Sequence, residues 1–142
     1  LALSASWTLF LMVKKTPSPA KLRELVMQAL YQKEMTGSSN TDLIKQFKQN
    51  YKSLNLKNFE TYLKEIKKNI LDIDSTIDKH TNINIDQISK IELAILKQAI
   101  YEIKNSNLDK PVIISEAIRL AKRFGQDSSH KFVNALLDKA AN

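Results

Sequence analysis

Apolar residues recur along this chain every three or four positions, the period of helices that bury one face. The clearest run is Phe59, Leu63, Ile66, Ile70, Ile73 and Ile77, with lysines on the opposite side, and it predicts one helix fading near His80. Upstream, Leu22, Leu25, Val26, Ala29 and Leu30 line a helix that starts near Ser18 and ends before Gly37. Pro19 falls in its first turn, where a missing N–H does no harm. A second helix, capped by Ser39, Asn40 or Thr41, buries Ile44, Phe47 and Tyr51. From about Gln87 to Asn105, Ile88, Ile91, Ile95, Ala99 and Ile103 share a face that Leu93, Leu96 and Ile100 widen. A helix apolar on most sides is expected to be central, covered by its neighbours. Pro111 limits the next connection, and Ile114, Ala117, Ile118, Ala121 and Phe124 predict a helix stopping at Gly125. Asp127 or Ser128 then caps a last helix holding Phe132, Val133, Leu136 and Leu137. The triplet Val112–Ile114 is β-prone but too short to predict a strand.

Composition agrees with this pattern. The 142 residues are 43% hydrophobic and 26% charged, enough for one compact domain. With Gly 2 and Pro 3, the chain is poorly supplied for the tight turns of a sandwich or the glycine loop of a phosphate site. The expected fold class is all-α, a single compact domain of about six or seven helices. Cys 0 removes disulfides, thiolate catalysis and cysteine zinc sites. Residues 1–11, LALSASWTLFL, lack a basic leader and are shorter than a spanning helix needs. Met12 is the expected natural start, so residues 1–17 are read as a non-native or flexible basic segment and 18–142 as the folded domain. No later stretch is apolar enough to span a membrane, and a cytoplasmic protein is expected.

The net charge of +7 favours a polyanionic partner, nucleic acid or an acidic membrane. Enzymatic readings fare poorly. His80 and His130 have no second histidine at a zinc-helix spacing, and the carboxylates alternate with lysines as on a solvated helix face. Two basic regions have aromatic neighbours instead. One is the arm and opening helix, with Lys14, Lys15, Lys21 and Arg23; the other is Lys122, Arg123, His130 and Lys131, beside Phe124 and Phe132. Cations hold phosphates and exposed rings stack unpaired bases, which points to RNA. The helical spacing of Phe124 and Phe132 fits burial in a core equally well. The start of the last helix, after Asp127-Ser128-Ser129, offers N–H groups to an anion.

The segment AIRLAKRFGQDSSHKFVNALLDKAA, residues 117–141, resembles the C-terminal signature of the NusB family: a helix ending in Phe-Gly, an acidic-serine turn, then HKFVN and LLDK. IELAILKQAIYEI at 91–103 resembles the family's central helix, and KLRELVMQALYQ at 21–32 its opening helix. The similarity covers most of residues 18–141, while 36–86 adds only helical pattern. The resemblance implies two three-helix lobes, about 18–82 and 86–141, and a non-enzymatic factor without cofactor or metal. It implies binding to boxA, a single-stranded element of ribosomal RNA leaders, together with NusE, a small-subunit ribosomal protein. RNA polymerase is reached indirectly and then ignores terminators. By position, Lys21 and Arg23 match the family's arginine-rich start, and Phe124, Ser128 and Phe132 its RNA surface. Tyr31 and Glu92 match positions of the NusE face.

The chain departs from the family at the arm, where Pro19, Ala20 and Lys21 stand in place of clustered arginines. Lysine keeps charge but loses the bidentate, stacking guanidinium, which implies a weaker arm. Ser128 replaces a common acid, a change expected to remove repulsion near phosphates. Two rival readings remain: a helical protein-interaction module without RNA affinity, and the related domain of ribosomal RNA methyltransferases. The missing methyl-donor domain disfavours the second.

Overall fold

Ser18 starts the first helix as expected. Its hydroxyl accepts from the Lys21 N–H at 3.1 Å, Pro19 occupies the first turn, and Gly37 closes the far end at φ 70° with its N–H on the Lys33 carbonyl. In the computed structural model, which describes residues 13–142, this is α1, Pro19–Thr36. The expected start at Met12 and the non-native residues 1–11 lie outside the described residues. Then follow α2 (Asn40–Asn50), α3 (Lys57–Lys68), α4 (Ile70–His80), a 3₁₀ turn (Ile85–Gln87), α5 (Lys90–Asn105), α6 (Lys110–Phe124) and α7 (Ser129–Ala141). The all-α fold class therefore stands. Among the described residues, β pairing is limited to one isolated parallel bridge, Lys15 to Leu54. None of the described helices is long and apolar enough to cross a membrane.

The single helix expected over Phe59–Ile77 is two. Asn69 ends α3 and precedes α4, its side-chain amide donating to the Glu65 carbonyl at 2.8 Å. This local bond competes with the helical ladder. The apolar rhythm passes through the break unchanged, with Ile66 and Ile73 both buried, so the pattern carries no trace of it. Pro111 also lies inside a helix rather than in the connection, tolerated in the first turn of α6, and Val112–Ile114 is helical. The central helix starts at Lys90, not Gln87, where the Ser89 hydroxyl accepts from the Glu92 N–H.

As its pattern predicts, α5 is central. Every residue from Leu93 to Ile100 is buried, and α1, α4, α6 and α7 all pack on it. Because α1 and α4 press on α5, and α4 also on α7, the ranges 18–82 and 86–141 share one contiguous core. Phe47 stacks on Phe59 at 4.9 Å, joining α2 to α3. The expected flexible arm is tied down from residue 15. The Lys15 N–H donates to the Ser53 carbonyl at 3.0 Å, its own carbonyl accepts from Asn55 at 2.7 Å, and Pro17 is buried.

The α6–α7 corner is tight. A Cβ at Gly125 would lie 2.6 Å from the Ser129 Cβ and 2.7 Å from the Ala121 carbonyl, although its backbone is extended. Gly125→Ala is therefore expected to cost about 1–3 kcal/mol of overpacking. Gly37 has open space but a left-handed backbone, and Gly37→Ala should cost about 1 kcal/mol. Thermal unfolding of both variants checks this; a Gly125→Ala protein as stable as the parent would show that the corner relaxes freely.

Candidate nucleic-acid interface

The corner that Gly125 permits displays the second basic region. Lys122 projects from the last turn of α6 and Lys131 from the first turn of α7, both exposed. Ser128 is exposed at the α7 N-cap without a side-chain cap bond, and His130 is half-buried. Phe124 and Phe132 pack against the core with part of each ring in solvent, between the two expectations for them. The Arg123 guanidinium sits 4.9 Å from the Phe124 ring centre, and its Nη1 donates to Glu24 Oε2 at 2.7 Å. The α7 N-terminus is less open to an anion than expected. The Ser129 N–H bonds the Gln126 carbonyl, those of Lys131 and Phe132 share the Ser128 carbonyl, and the Ser129 hydroxyl caps the Gln126 N–H.

Glu24 brings the two basic regions together. On one side it takes Arg123; on the other, Lys21 Nζ lies 3.6 Å away, with its ammonium also 5.5 Å from the Tyr51 ring. A second tie runs from Arg119 Nη2 to the Ala20 carbonyl at 3.3 Å. Regions about a hundred positions apart in sequence thus share one surface where α1 meets α6. Lys14 and Lys15 are exposed on the arm.

Arg23 is the exception among the expected phosphate-facing cations. Only 7% exposed, it donates from Nε to both Glu102 oxygens, at 3.2 and 3.0 Å, and from Nη2 to Oε1 at 2.9 Å. Burial opposes its charge, but the hydrogen bonds and attraction of Glu102 outweigh it and hold the guanidinium above its ordinary pKa. The same pocket, by burial first and by Glu102 second, pushes the Tyr62 hydroxyl well above the usual tyrosine range. Buried, and held by Glu102 through Nε and Nη2, Arg23 serves as a strut between α1 and α5. The sequence signal for this was a carboxylate, Glu102, in the register of the buried Ile95 and Ala99.

Tyr31 and Glu92, both half-buried, lie toward the other end of the same helix pair. Glu34, one turn beyond Tyr31, bonds the largely buried Lys97 and lies 3.9 Å from Lys90, which places the end of α1 beside the start of α5. Glu92 Oε1 accepts from the Ser89 hydroxyl at 2.9 Å, leaving the carboxylate partly open. Sequence reasoning passed over Lys52 and Lys57. Their loop is carried to the arm by the Lys15–Leu54 bridge, a pairing that no local pattern encodes.

Fold and surface together define a small, basic, all-helical protein in which cations of α1 and α6 meet across Glu24. The chain belongs to the NusB family, whose model, described as "NusB family", matches residues 20–142. Similar proteins include the transcription antitermination protein NusB of Tolumonas auensis, 37% identical over 84% of this chain and 88% of the relative. That of Mannheimia succiniciproducens is 37% identical over 91% and 93%. Among solved structures, T. maritima NusB superposes with a TM-score of 0.79 at 29% identity, covering 89% of this chain and 92% of that one. A crystal structure of antitermination factors NusB and NusE in complex with dsRNA matches in fold, with a TM-score of 0.77 at 21% identity over 86% and 94%.

The strut has an energetic test. Removing one member of a buried ion pair leaves the other uncompensated and costs about 3–5 kcal/mol. Arg23→Ala and Glu102→Ala should each lower stability on this scale in chemical denaturation, and the double variant should lose much less than their sum. Additive losses would mean that the two side chains do not depend on each other.

Proposed function

We propose that this protein is an RNA-binding transcription antitermination factor that holds boxA-type single-stranded RNA of ribosomal RNA leaders together with NusE. The observation that carries the reading is the α6–α7 corner: exposed Lys122, Lys131 and Ser128 beside the partly open Phe124 and Phe132. In a NusB-family chain this corner falls within the family match, and the relatives above bear the name of antitermination proteins. No bond is made or broken. Lys122, Lys131 and Lys21 neutralise phosphates, His130 adds a polar contact, and the two phenylalanine rings receive unstacked bases. Arg123 contributes positive charge from the position that its bond to Glu24 and its contact with Phe124 give it. Lys14 and Lys15 extend the positive surface along the arm.

NusE is assigned to the opposite end of the α1–α5 pair, around Tyr31 and Glu92. There a half-buried ring and a partly open carboxylate suit a protein partner better than a polyanion. Two separate faces let both partners bind at once. RNA polymerase is then engaged through the complex rather than by direct contact, and coupling between the partners of about 1–3 kcal/mol is expected.

Fluorescence anisotropy of a boxA oligonucleotide and a scrambled one of equal length, with and without NusE, tests the reading. A boxA preference that grows with NusE is the expected result; equal weak binding insensitive to NusE overturns it. Replacing Lys122 and Lys131 together by Ala should flatten the salt dependence by about 1.4, at roughly 0.7 per lost contact on a single strand. Ser128→Asp should weaken binding by placing a carboxylate among the phosphates. Tighter or unchanged affinity would remove Ser128 from the interface.

A further inference from the structure

Where the arm crosses the start of α3, it walls a groove. Pro17, Leu22, Asn58 and Tyr62 line a hollow of about 340 Å³. A second hollow of about 270 Å³ shares Leu22, Asn58 and Tyr62 and continues to Tyr101. The Tyr62 and Tyr101 rings meet edge to face at 5.5 Å, which fixes the Tyr62 plane. Glu102 also lines the first hollow, its carboxylate taken up by Arg23.

The rim is basic. Lys14 and Lys15 immediately precede the arm residues that wall the groove, Lys57 precedes Asn58, and Lys52 lies two positions before Leu54, the partner of Lys15 in the bridge. All four lysines are exposed, and among the described residues none takes part in an ion pair. A hollow walled by Tyr62, with exposed, unpaired lysines next to its lining residues in the chain, matches a flat, uncharged ring carried on a phosphate chain. An apolar peptide would leave the four charges unanswered. Asn58 adds an amide that can both donate to and accept from a base edge.

We propose that this groove is a second base-binding subsite, in which one unstacked base of the RNA strand lies against Tyr62. Lys14, Lys15, Lys52 and Lys57 hold the phosphates on either side of it. The assignment rests on the RNA reading above and adds to it residues of α3 and of the loop before it, separate from Phe124 and Phe132.

The test uses the full chain and a boxA oligonucleotide carrying 2-aminopurine at one position at a time. A fluorescence change on binding at one position, abolished by Tyr62→Leu and kept by Tyr62→Phe, is the expected result. Affinity should fall by roughly five- to a hundredfold in Tyr62→Leu, the range for one base stacked on an aromatic ring. Unchanged affinity and fluorescence in Tyr62→Leu, with the Lys122/Lys131 double variant still weakened, overturns the groove and leaves the RNA reading intact. A parent chain that binds neither boxA nor scrambled RNA overturns both. Should Tyr62→Leu fail to show a cooperative unfolding transition, Lys52→Ala with Lys57→Ala replaces it, both side chains being exposed. That pair should lower the salt slope by about 1.4 and weaken the 2-aminopurine response; an unchanged slope and response overturns the proposal.

Discussion

A guanidinium and a carboxylate buried together between two helices have only each other to satisfy them. Arg23 and Glu102 meet in this way between α1 and α5, through three hydrogen bonds of 2.9–3.2 Å. Apolar packing alone would let α1 slide or rotate on α5 at modest cost, since Leu25, Val26 and Ala29 offer no directional contact. The pair fixes register, because a shift of α1 would leave two buried charges uncompensated. Glu34 with Lys97 ties the other end of the same helix pair. Between these ties, α1 lies along the central helix in one position.

That register also organises the surface. With α1 held, its largely buried Glu24 meets Arg123 and its Ala20 carbonyl meets Arg119, and both bonds hold α6 alongside. Lys21 of α1 and Arg123 of α6 then adjoin across Glu24. Tyr31 and Glu92 lie toward the far end of the α1–α5 pair. A carboxylate within a basic surface looks counterproductive for holding a polyanion, yet Glu24 aligns the cations from two helices. Side chains so arranged lose less freedom when a ligand arrives than free ones would.

Much of this was legible because it depends on short-range rules. Ser18, Pro19 and Gly37 bound α1 by capping and backbone preference, and the wide apolar surface between Ile88 and Ile103 announced a buried central helix. The break at Asn69 was not legible, since both sides of it keep the same face toward the core. Nor was the pinned arm, whose partner residues 53–55 lie about forty positions away. The motif-bearing ends of the chain drew attention to basic residues that adjoin in the fold, but charge alone did not separate Arg23 from its neighbours. A cation in a basic motif reads the same whether it faces solvent or a buried acid.

The sequence by itself determined the helical class, the ends of α1, the central place of α5 and membership of the family. Each follows from periodicity, capping or motif, which are properties of neighbouring residues. Tertiary structure decided which cations remain available, that Arg23 is a strut, that the two basic regions adjoin across Glu24, and that the loop of Lys52 and Lys57 joins the arm. These depend on which distant carboxylate or carbonyl a side chain meets, and that is set by how helices pack, not by the spacing of residues along any one of them.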